Sequence, residues 1–85
     1  MELVNILHLV RLLGENGPFS AAALSQEFGI SPATVKRYIS TARQMGADIV
    51  SVRYASGFAF EIRNWSLCRP TVARWIQLET ARTLL

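Results

Sequence analysis

Residues 29–32, Gly-Ile-Ser-Pro, constrain this chain more than any other stretch, because they hold a helix stop and a helix start within four positions. Glycine readily takes the left-handed conformation that ends a helix, serine accepts a backbone N–H as an N-cap, and proline suits the first helical position, where its missing N–H is not needed. Upstream, Ser20 is a second N-cap candidate, and three consecutive alanines with Leu24 and Phe28 favour a short helix over 21–28. Downstream, Val35, Ile39, Ala42 and Met45 recur at near-helical spacing up to Gly46. Two helices joined by Gly29-Ile30-Ser31 are the expected centre of the fold.

The flanks follow from periodicity. Leu3, Ile6, Leu7, Val10 and Leu13 are spaced by threes and fours, with Glu2, Asn5, His8 and Glu15 on the other side, which predicts a first helix that ends near Gly14 before Asn16-Gly17-Pro18 turns the chain. After Gly46 the period drops to two. Val50, Val52 and Tyr54 alternate with Ile49, Ser51 and Arg53, and Phe58, Phe60 and Ile62 alternate with Ala59 and Glu61. With Ala55-Ser56-Gly57 between them, these two strands form an antiparallel hairpin. From Arg69 the pattern is helical again, with Pro70 close to the start and Val72, Trp75, Ile76, Leu78, Ala81, Leu84 and Leu85 as the apolar set.

Composition removes several classes of function. Eighty-five residues make one small domain, and 51% hydrophobic with 18% charged residues is too apolar for a disordered chain. Every long apolar stretch is interrupted within a few positions, so no membrane-spanning helix is expected. The N-terminus carries acidic Glu2, places Arg11 within its apolar part and lacks a small-residue cleavage site, so a signal peptide is not expected and the expected compartment is the cytoplasm. One cysteine, Cys68, and one histidine, His8, are too few for an intramolecular disulfide or a four-ligand zinc site. The six acidic residues form no pair suited to shared acid–base work, no serine has a histidine partner in a known motif, and no glycine-rich phosphate loop is present. Neither catalysis, a cofactor, a metal nor a small-molecule ligand is expected.

A helix-turn-helix followed directly by a hairpin is a winged helix-turn-helix. The expected class is mainly α with a small β-hairpin: three helices, a two-stranded wing and an additional C-terminal helix. Residues 4–63 resemble the winged domains of DeoR-type repressors and the N-terminal domain of the biotin operon repressor, through Leu24, Phe28, Gly29, Ile30, Ser31, Thr34, Val35, Arg37, Ile39 and Gly46. Gly57-Phe58-Ala59-Phe60 is similar to the Gly-Tyr-x-Leu ending of that family's wing, and the chain departs from the family's pattern at Ser25, Ala33 and Tyr38. The resemblance implies double-stranded DNA as partner, with the third helix in the major groove.

Charge agrees. Residues 1–30 hold Arg11 against Glu2, Glu15 and Glu27, a net of −2, whereas residues 31–63 hold Lys36, Arg37, Arg43, Arg53 and Arg63 against Asp48 and Glu61, a net of +3. Basic residues on a docking face neutralise phosphates and release counterions. A rotation of about 100° per residue places Ala33, Arg37, Ser40 and Gln44 opposite Val35. Arg37 can grip guanine O6 and N7, Ser40 or Gln44 can read a base edge, and the Ala33 methyl can meet a thymine methyl. Lys36, Arg43, Thr34 and Thr41 on the flanks suit phosphates, as do the N–H groups after Ser31. Arg53, Tyr54 and Ser56, near the wing tip, suit a neighbouring backbone or minor groove.

The expected division is a DNA-binding domain over 1–63 and a helical extension over 64–85. Val72, Trp75, Ile76, Leu78, Leu84 and Leu85 cover more than a narrow stripe, so one side can pack on the first helix while the other joins a homodimer. The leading expectation is a small dimeric repressor. The alternatives are a winged helix reused for protein–protein docking, and an architectural or partition DNA binder without base preference.

Overall fold

Around α1 (Glu2–Asn16) the computed structural model, which describes the backbone of residues 2–84 and the side chains of residues 3–82, assembles one core. Ile6, Leu7, Leu9, Val10 and Leu13 are all buried, and Leu9 is fully so. Leu9 lies outside the stripe read from the sequence. It is covered because α4, α3 and β2 all pack on α1, so the helix buries a wide arc and not a single seam. Gly14 does not end this helix. It lies inside α1 against the indole of Trp65, where an added Cβ would come within 2.1 Å of Trp65 Cδ2. The helix stops two residues later, at Asn16, and the Gly17 N–H bonds Leu13 O at 3.0 Å before a cis Gly17–Pro18 peptide.

α2 (Ala21–Phe28) and α3 (Pro32–Gln44) begin where their caps stand. Ser20 Oγ accepts from the Ala23 N–H at 3.0 Å, and Ser31 Oγ accepts from the Thr34 N–H at 3.2 Å. Gly29 takes φ 63°, ψ 38°, a region costly to any residue with a Cβ. Ser25 then closes the turn: its carbonyl accepts from the Gly29 and Ile30 N–H groups, and its hydroxyl donates to Ile30 O. Val35, Tyr38, Ile39 and Ala42 are the buried side of α3. Met45 is not part of it; at 43% exposed it caps the helix while Tyr38 fills the core.

β1 (Ile49–Tyr54) and β2 (Gly57–Ile62) pair antiparallel, from Ile49 opposite Ile62 to Tyr54 opposite Gly57. The connection is therefore Ala55-Ser56, shorter than expected, with Gly57 at φ 125° inside the strand. Phe19 adds an isolated bridge to Phe60, with N–H···O bonds of 3.2 and 2.8 Å, a long-range pairing that no local pattern announces.

α4 (Trp65–Leu84) starts four residues before Arg69, so Pro70 lies inside the helix and not at its start. An interior proline removes one intrahelical bond. The early start is fixed from outside the helix. Asn64 Oδ1 accepts from the Asp48 N–H and its Nδ2 donates to Gly46 O, both at 2.9 Å, while its carbonyl receives the Leu67 and Cys68 N–H groups at 3.0 Å. Val72 and Ile76 are buried in this chain's own core, which corrects their expected place in a dimer contact. Glu79, also buried, meets Arg82 at 3.4 Å. The Leu84 side chain and Leu85 lie outside the described residues. Among the described residues no helix is long and apolar enough to cross a membrane, and no group of three metal-ligating side chains converges.

Candidate nucleic-acid interface

The outer side of α3 carries Ala33, Lys36, Arg37, Ser40 and Gln44, all exposed, because burying Val35, Ile39 and Ala42 turns the opposite face outward. α4 packs chiefly on α1, so it leaves this side of α3 open. The Arg37 guanidinium carbon lies 5.8 Å from the centroid of the Tyr38 ring. Tyr38 is 5% exposed, so it supports the arginine from the core and presents no edge of its own to a groove. A guanidinium over an aromatic face is held there by the ring quadrupole.

The flanking residues divide. Lys36 is exposed, whereas Thr34 and Thr41 are half-buried. Thr34 Oγ1 lies 2.9 Å from Ser31 Oγ. At the start of α3 the Thr34 N–H is held by the Ser31 side chain, the Val35 N–H bonds Ser31 O at 3.0 Å, and Pro32 has no N–H. The phosphate site expected after Ser31 thus narrows to the Ala33 N–H. Arg43, read as a phosphate contact, has its Nε donating to Ile49 O at 2.9 Å, which ties the last turn of α3 to the first residue of the wing. A sequence reading of Arg43 as surface charge misses this, because Ile49 is six positions away and reached only by the turn through Gly46.

At the wing tip Arg53, Tyr54 and Ser56 are exposed, as expected. Their neighbours set them apart. Arg53 and Phe58 are directly opposite in the register, and the guanidinium carbon lies 6.0 Å from the Phe58 ring, which is 64% exposed. Tyr54 points to the other face, where desolvation, and then a hydrogen bond and the negative charge of Glu61, raise its phenol above the ordinary value of 10.0. Phe58 was not among the expected contact residues. The signal for it is the two-residue loop, which places it across from Arg53.

The geometry offers one exposed helix face with a supported arginine and, after it, a hairpin carrying a second arginine on an exposed ring. No curated protein matches this chain. The family model described as HTH domain matches residues 5–58, from α1 to the tip of the wing and more than half the chain. The chain belongs to this helix-turn-helix family, a DNA-binding kind of domain.

Proposed function

We propose that this protein is a sequence-specific binder of double-stranded DNA that represses transcription by occluding a promoter, with α3 in the major groove and the wing on the adjacent backbone or minor groove. The observation that carries the reading is the open side of α3, where Arg37 rests on Tyr38 between exposed Ala33, Lys36, Ser40 and Gln44. In this reading Arg37 reads guanine, Ser40 and Gln44 read edges further along the groove, and Lys36 and Arg53 neutralise phosphates. The protein acts in the cytoplasm, on the nucleoid, as a homodimer that sets two α3 helices on the half-sites of an inverted repeat. Leu78, 55% exposed, supports α4 as the joining surface.

The test is DNA binding at two salt concentrations, on random duplexes and on intergenic DNA containing short inverted repeats. A regulator shows affinity that falls with salt and a preference for one sequence. Equal affinity for all duplexes rejects the regulator in favour of an architectural binder. Absence of salt-dependent binding rejects DNA altogether and points to protein docking through the wing.

A further inference from the structure

The last turn of α3, the middle of α1 and the first half of α4 leave a cavity of about 260 Å³ between them. Its floor is made of core residues, Leu7, Val10 and Ala42, each under 5% exposed. Its rim is made of Met45, Leu67 and Trp75, which are 43%, 78% and 42% exposed. Among the described residues, no Asp, Glu, Lys, Arg or His lines it. We propose that this cavity binds a small neutral aromatic molecule and that its occupation adjusts the end of α3.

The walls define the ligand class. An uncharged lining gives a carboxylate or an ammonium no partner to replace its water, so a charged ligand is disfavoured. A methionine and a tryptophan at the mouth favour an aromatic ring, through sulfur–aromatic and ring–ring contacts. An apolar cavity of about 150 Å³ holds benzene, so this one has room for a bicyclic ring system of about ten heavy atoms. Both polar ends of the Asn64 side chain are engaged by Asp48 and Gly46, which leaves the exposed Thr71 hydroxyl as the partner for one O–H or N–H on the ligand. The floor at Leu7 and Val10, 2% and 4% exposed, lies behind the rim at Leu67 and Trp75, 78% and 42% exposed, and a discrete molecule of this size reaches past that rim.

The site has leverage on the proposed interface. Ala42 and Met45 belong to the end of α3, and Ala47 lies in the connection that the Arg43–Ile49 bond spans. A ligand seated there pushes on the joint between recognition helix and wing. This regulatory half of the inference rests on the DNA-binding reading, whereas binding itself does not.

The experiment uses indole as the probe, titrated into ¹⁵N-labelled protein without DNA. The expected result is saturable amide shifts confined to 7–10, 42–47 and 64–75, the segments that line the cavity, with indole-3-acetate binding at least tenfold more weakly. Thr71→Phe, which plugs the mouth from an exposed position, and Met45→Glu, which charges the rim, should each weaken indole at least tenfold with the amide spectrum otherwise retained. Shifts that do not saturate or that spread over the chain, equal binding of the carboxylate, or full binding in both variants overturns the site. So does a dimer in sedimentation whose formation indole cannot compete with or join. With indole saturating, affinity for the preferred duplex should change at least threefold. Unchanged affinity overturns the coupling, and salt-independent binding in the absence of indole overturns the DNA reading while leaving the site intact.

Discussion

Arg37 owes its position to the residue after it in sequence. Tyr38 is drawn into the core by the same stripe that buries Val35 and Ile39, and its ring then lies under the arginine. Arg37→Ala should cost about 1–3 kcal/mol on the preferred duplex and relax preference at one base pair, measured by competition binding. A uniform loss on every duplex would make Arg37 a phosphate contact. Glycines show the other side of the residue scale. Gly29 is needed for its backbone, and this is legible from Gly-Ile-Ser-Pro; Gly14 is needed for contact, and this is not. Gly14→Ala forces the Trp65 indole to move, so urea unfolding should show a loss of about 1–3 kcal/mol, the cost of overpacking. Stability at or above the parent level would show that the indole moves freely.

Between elements, the joint from α3 to the wing is the point where local signals run out. The caps Ser20 and Ser31, the stop at Gly29 and the two strands were legible, because caps and turns depend on neighbours within four residues and each strand shows its own two-residue alternation. The Arg43–Ile49 brace and the Phe19–Phe60 bridge were not, because their partners meet only after the chain turns back. Arg43→Met keeps the aliphatic stem and removes the brace. It should lower stability by about 0.5–1.5 kcal/mol in urea unfolding, the worth of one hydrogen bond, in addition to any loss of DNA affinity. Weaker DNA binding at unchanged stability would return Arg43 to the phosphate role read from the sequence. The start of α4 follows the same logic. Pro70 announces a helix start to a local reading, but Asn64, held by Asp48 and Gly46, sets the start earlier.

At the scale of the whole molecule, α4 is part of the same core as the helix-turn-helix, so shortening the chain at 70 would remove Val72 and Ile76 from beneath α1 and test folding as much as assembly. A surface substitution separates the two. Leu78→Glu leaves the core untouched and should shift sedimentation from dimer to monomer at micromolar concentrations, with a parallel loss of affinity for the inverted repeat and little change for a half-site. A parent protein that sediments as a monomer rejects the dimer outright.

By itself the sequence determined the order of helices and strands, the turn at Gly29 and the outward side of α3, since these rest on spacing, capping and φ preferences that act within a few residues. Only the tertiary structure decided that Gly14 receives Trp65, that Arg43 holds the wing, that Val72 and Ile76 serve the core, and that a cavity opens beside Trp75. The physical reason is that packing matches surfaces distant along the chain, and whether two such surfaces leave contact, clash or empty space depends on their mutual placement, which no periodicity encodes.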